Sequence, residues 1–141
     1  MTKDEELTRC MAMVEQYKEQ MNSLDMQSSY LQAAIMDYSK AKITLEHMNK
    51  TNKNEEILLP IGGNTFINAS TKDPSKVLFD IGAGIVVEKT SEDAVKKIDQ
   101  RIGDLQKTQE RLSTVMQNLQ NEVTQVYARA QQLLVEKQQS E

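Results

Sequence analysis

Apolar residues return at alternating steps of three and four along two stretches of the chain, and between those stretches the period shortens to two. Over residues 3–48 a heptad register places Leu7, Val14, Met21, Ser28, Ile35 and Lys42 in one column and Cys10, Tyr17, Leu24, Leu31, Tyr38 and Leu45 in the other. Ten of these twelve are apolar and no Gly or Pro interrupts the run, so the pattern predicts one long helix with a coiled-coil seam. Thr2 with Glu5 three positions on has the form of a capping box, and Asp4, Glu5 and Glu6 suit the positive end of the helix dipole. Residues 91–137 repeat the logic. Val95, Ile102, Gln109, Met116, Val123 and Ala130 form one column, and Ile98, Leu105, Leu112, Leu119, Val126 and Leu133 form the other. Thr90 and Asp93 mark the start of this second helix.

Between the helices, after a polar linker over residues 49–56, residues 57–89 hold four short apolar runs rich in β-branched side chains: ILLPI, TFINA, VLFDI and GIVVE. GGN, TKDPSK and GAG separate them, so the segment predicts two successive β-hairpins. Pro60 has no N–H for a ladder, which places its strand at an edge or beside a bulge. Two seams of similar length joined by a compact insert predict an antiparallel helical hairpin, with Leu7 near Leu133, Leu45 near Val95 and both termini together. The predicted fold class is therefore mainly α with a β insert, in one domain: a helix over 3–48, paired hairpins over 57–89 and a helix over 91–137.

Alternation puts Val77, Phe79 and Ile81 on one strand face, with Leu78 and Asp80 on the other. Four short strands do not cover both of their faces, and open edges invite pairing with another chain. The expected assembly surface is Ile57, Leu59, Ile61, Phe66, Val77, Phe79, Ile81, Ile85 and Val87. The alternative is a monomer whose strands fold back onto its own helices.

Composition narrows the function classes. Only 4% of residues are aromatic and 38% are hydrophobic, which favours burial along stripes or against partners over a central core. The net charge of −4 argues against nucleic acid, which requires a basic footprint. No apolar run is long enough to span a membrane. The single Cys10 forms no internal disulfide and suits a reducing cytoplasm.

Candidate chemistry fails on spacing. The stretch VLFDIGAGIVVEK has the look of a phosphate loop, but its glycines lead into a strand, and Val87 stands where a dinucleotide fingerprint needs its third Gly. No Lys-Ser/Thr follows either glycine pair. His47 is the sole histidine and has no metal-spaced neighbours. Cys10 sits in the seam. The reading is no enzyme, no cofactor and no metal. The methionines remain: Met11, Met13, Met26, Met36 and Met48 fall off the seam, where a solitary coiled coil is polar. Tyr127, Leu134 and Val135 are also off-seam, at the far end of the second helix. Met adapts to irregular apolar surfaces, so these clusters fit adaptable binding, with packing against a neighbouring helix as the plainer alternative.

The motifs LLPIGGNTFINAS and KVLFDIGAGIVVEKTSEDA, set between two coiled-coil helices, resemble the α class of prefoldin subunits, and the GAG and FINA wording resembles archaeal members. The resemblance covers essentially the whole chain. It implies a hexamer of two α and four β-class subunits joined through an intersubunit β-barrel. It implies an ATP-independent holdase that captures unfolded polypeptides at the coiled-coil tips and passes them to a group II chaperonin. Carried onto this chain, the client-binding residues are Leu7, Met11, Met13, Val14, Tyr127, Leu133, Leu134 and Val135. Leu7, Val14 and Leu133 lie in the seam and reach a client only if the tip frays. The competing reading is a structural scaffold whose tips dock one folded partner.

Overall fold

The computed structural model describes residues 2–140. Helix α1 (Lys3–Met48) is followed by strands β1 (Glu56–Gly62), β2 (Thr65–Ser70), β3 (Lys76–Gly82) and β4 (Ile85–Thr90), then helix α2 (Ser91–Ser140). The strands run slightly beyond the apolar runs, except that β4 begins at Ile85 because Gly84 belongs to the turn. Helix α2 continues to Ser140 because no Gly or Pro follows Gly103. The capping box forms: Glu5 N–H donates to Thr2 Oγ1 at 3.2 Å, and Thr2 N–H to Glu5 Oε2 at 3.3 Å. At α2, Asp93 N–H donates to Thr90 Oγ1 at 3.1 Å. All twenty-four seam positions are buried or half-buried.

The chain divides into two compact units, residues 1–33 with 105–141 and residues 34–104. In the first, Cys10, Ala130 and Leu133 form a buried cluster flanked by Leu7 and Val126, while Leu24 shares a groove with Val115 and Leu119. Partners descend in α2 as they ascend in α1, so the segments run antiparallel. In the second unit Leu45 lines a groove with Val95, Lys42 pairs with Asp99 and Tyr38 accepts from Arg101, which gives the same sense.

The second unit also holds the hairpins. β1 pairs only with β2, and β3 only with β4, as two separate two-stranded sheets. Their registers are the same under a shift of twenty residues: Glu56↔Ser70 becomes Lys76↔Thr90, and Pro60↔Phe66 becomes Asp80↔Val86. Even the irregularity repeats, with Ile61 and Ile81 as the extra residues. Ile81 therefore does not simply continue the Val77–Phe79 alternation that the sequence suggested. The closing bonds repeat too: Thr71 N–H donates to Glu55 C=O at 3.2 Å, and Ser91 N–H to Ser75 C=O at 2.8 Å. Both turn tips are left-handed. Gly63 and Asn64 have φ of 55° and 56°, and Ala83 and Gly84 have 52° and 74°, as a two-residue hairpin turn of the primed type requires.

The hairpins differ in how they are anchored. Ser91 is buried, and its hydroxyl donates to Pro74 C=O at 2.7 Å, tying the β2–β3 connection to the start of α2. Its counterpart in the first hairpin, Thr71 Oγ1, is buried with no hydrogen-bond partner among the described residues.

Candidate functional site

Where the start of α1 meets the end of α2, the two helices are joined by charge outside and by the apolar seam inside. Glu6 Oε1 accepts from Arg129 Nε at 2.8 Å, Lys137 Nζ lies 2.9 Å from Asp4 Oδ1, and Lys3 Nζ lies 3.5 Å from Glu136 Oε2. The Arg129 hydrogen bond holds the Glu6 carboxyl below its ordinary range, with desolvation opposing it. Further along, a hydrogen bond to the Glu122 carboxylate raises the Tyr17 pKa. Lys18 Nζ stands 5.8 Å from the centre of the Tyr127 ring.

The residues singled out from the sequence divide into two groups here. Val14 and Leu133 are fully buried, and Leu7 is half-buried against the Cys10 cluster. Met11, Tyr127, Leu134 and Val135 are exposed, and Met13 is half-buried. The break is sharpest between neighbours: Leu133 keeps 1% of its surface accessible and Leu134 keeps 46%. Exposed apolar side chains thus stand beside a seam whose own residues are buried or half-buried.

The hairpin residues divide as well. Val77, Phe79, Val87 and Lys89 share one face of the second hairpin and are all half-buried. Phe79 and Val77 line a groove with Tyr38, Leu45 and Ile98 of the helices. The other face is open, with Leu78 at 77% and Val86 at 54% exposure. In the first hairpin Ile57 is half-buried, while Leu59, Ile61 and Phe66 are exposed, as are Ile81 and Ile85 of the second. The second hairpin rests on its own helices, and the first is open apart from the half-buried Ile57 and Ala69 pair.

Sequence reasoning missed the residue that makes this difference. Arg101 Nη2 donates to Asp80 C=O at 3.1 Å and Nη1 to the Tyr38 hydroxyl at 3.2 Å. Its guanidinium carbon lies 4.7 Å from the Phe79 ring centre and 5.7 Å from that of Tyr38. The adjacent Asp80 carboxylate accepts from Gly82 N–H at 2.8 Å, which steadies the bulge. The only signal in the sequence was an Arg beside the seam, a position charged residues occupy routinely. Among the described residues no group of three or more His, Cys, Asp or Glu side chains could hold a metal ion. No described helix is long and apolar enough to cross a membrane.

Paired antiparallel helix segments with exposed apolar residues at one end and a β insert of two separate hairpins define a coiled-coil protein with a β insert. The prefoldin subunit model matches residues 17–136, and the chain belongs to the prefoldin family, a family of chaperones. Its relatives place it in the α class. Prefoldin subunit alpha of Archaeoglobus fulgidus is 28% identical over 141 residues, the whole of both chains. That of Methanococcus vannielii is 28% identical over 123 residues, 87% of this chain and 82% of the relative. A stretch of 82 residues, 58% of this chain and 54% of the relative, is 34% identical to the alpha subunit of Methanoregula boonei. The fold is similar to that of a filamentous PFD from Methanocaldococcus jannaschii solved by cryo-EM, with a TM-score of 0.60 and 23% identity over 89% of this chain and 98% of the other.

Proposed function

We propose that this chain is the α-class subunit of an ATP-independent, cytoplasmic holdase, assembled as two α with four β-class subunits, that captures unfolded polypeptides and passes them to a group II chaperonin. The observation that carries the reading is the exposed set Met11, Tyr127, Leu134 and Val135 beside a seam that is already closed. Unfolded chains offer irregular apolar segments, and flexible Met with large aliphatic side chains accommodates many such shapes. Leu7, Met13, Val14 and Leu133 support that surface from beneath, and join it directly only where the helix ends separate. The hairpin residues Ile57, Leu59, Ile61, Phe66, Ile81 and Ile85 supply assembly contacts. Val77, Phe79 and Val87 fix the second hairpin in place for them.

The test is suppression of client aggregation by the chain combined with a β-class partner, without nucleotide. A denatured client stays in solution if the reading is right. Unchanged aggregation in the presence of an assembled hexamer overturns it. Saturable binding to one folded protein, with no preference for unfolded chains, would favour the scaffold reading instead.

A further inference from the structure

Charge is spread unevenly over the two helices of the first unit. α1 exposes Glu5, Arg9, Glu15, Lys18 and Glu19. Over residues 117–135 of α2, only Glu122 and Arg129 are charged. They stand seven residues apart in one heptad column, which Glu136 continues. Each is engaged by α1: Glu122 accepts from Tyr17, Arg129 donates to Glu6 at 2.8 Å, and Glu136 pairs with Lys3 at 3.5 Å. All three charges thus serve the contact between the helices.

The remaining outer face of α2 holds no charge at all over this length. Gln117, Gln120, Thr124, Tyr127, Gln131 and Leu134 recur at steps of three and four, so they share one stripe, and all six are exposed. Tyr127 and Leu134 belong to the exposed apolar end; the three Gln and Thr124 carry the stripe inward. From Gln117 to Leu134 it runs about 26 Å, the length of about eight residues of extended chain. A Gln amide both donates and accepts, so it pairs with either group of a peptide bond whatever the sequence that bond belongs to. A fixed charge on the stripe would have to be matched or desolvated as a chain settled there, and none is present.

We propose that this stripe is a track for an extended segment of unfolded polypeptide. Gln117, Gln120 and Gln131 read its peptide groups, and Tyr127 and Leu134 take its apolar side chains. The inference rests on the reading of the chain as a holder of unfolded polypeptides, and extends it from an apolar end to a length of α2. A client is gripped along one helix, because α1 presents charges where α2 presents amides. Holding is indifferent to salt and to the client's own charge, since screening acts only between charges. A folded protein fits poorly, because its peptide groups are already paired.

The experiment uses the full chain assembled with a β-class partner, and reduced, unfolded α-lactalbumin as the client. Photoreactive benzoylphenylalanine replaces Thr124 in one sample and Glu19 of α1 in another. Both residues are exposed, so helix content by circular dichroism should be unchanged. Crosslinking to the client should be strong from the Thr124 position and weak from the Glu19 position, equally in low and high salt. Adding Gln120→Ala with Gln131→Ala should cut the yield from the Thr124 position about tenfold, as the loss of two modest hydrogen bonds predicts. Gln125→Ala with Gln132→Ala, off the stripe, should leave it unchanged. Equal yields from the two positions, a yield that falls with salt, no effect of the Gln120 and Gln131 pair, or capture of a neighbouring subunit in place of the client would each overturn the track. If the client meanwhile stays in solution, the holding of clients survives that failure; a client that aggregates beside the unsubstituted hexamer removes both.

Discussion

The guanidinium of Arg101 lies 4.7 Å from the centre of the Phe79 ring while donating to the carbonyl of Asp80, the next residue, so one helical side chain grips both the face and the backbone of β3. A cation over an aromatic face contributes about 0.5–2 kcal/mol depending on desolvation, and a hydrogen bond about 1 kcal/mol net. Arg101→Ala should therefore lower stability by about 1–3 kcal/mol. Hydrogen exchange should show lost protection over residues 76–90 and little change over 56–70. Equal loosening of both hairpins would refute the clamp.

Leu133 and Leu134 offer a paired test of seam against surface. Leu133→Ala empties a buried position and should cost about 2–5 kcal/mol in urea unfolding. Leu134→Ser should leave stability within about 0.5 kcal/mol and, on the proposed function, weaken client holding. Similar destabilisation by both would place Leu134 in the seam.

Thr71 and Ser91 occupy equivalent places in the two repeats but have opposite hydrogen-bond states. Thr71→Val keeps the branched shape and removes a buried hydroxyl that has no partner, so it should be neutral or stabilising by about 1 kcal/mol. Ser91→Ala removes the donor to Pro74 and should destabilise by about 1 kcal/mol. Thermal melts of the two variants should shift in opposite directions or, at the least, by unequal amounts.

Acid should weaken the contact between the start of α1 and the end of α2. Glu6 has its folded pKa depressed below 4.5, chiefly by the Arg129 hydrogen bond. Its contribution is thus complete above the unfolded value and is lost as pH falls through the folded one. The melting temperature should fall as pH drops below the ordinary carboxylate value, and Glu6→Gln should reduce the size of that fall. A Glu6→Gln variant with an unaltered acid profile would remove Glu6 from the account.

Gly103 stands inside α2 with open space where a Cβ would go. Gly103→Ala should stabilise by about 1 kcal/mol. At the second hairpin tip Ala83 holds φ of 52°, a conformation that costs a residue with a Cβ about 1–2 kcal/mol. Ala83→Gly should relieve part of that strain and raise the midpoint of thermal unfolding.

The seam was legible because its signal is a sum over many positions: Ser28 and Lys42 break the apolar pattern, yet both are half-buried where the heptad puts them. The turns were legible from Gly62-Gly63-Asn64 and Gly82-Ala83-Gly84, although Ala83 at positive φ was not, since alanine carries no turn signal. The registers could not be foreseen, because the repeats share little side-chain identity beyond Leu58/Leu78, Ile61/Ile81 and Gly62/Gly82. The Arg101 clamp joins residues distant in the chain through a long flexible side chain, and no local pattern encodes such a meeting. The exposed end showed in the sequence only as apolar residues off the heptad, of which Met11 lies open while Met13 is half-buried.

The shift of twenty residues also means that the insert is modular in length. Excising one repeat would join Glu55 to Lys76, or any equivalent pair, with the ladder, the bulge and the closing bond still in phase. A shortened chain would then enter α2 from a single hairpin in the same backbone geometry, so the number of docking elements can change without rephasing the heptads on either side.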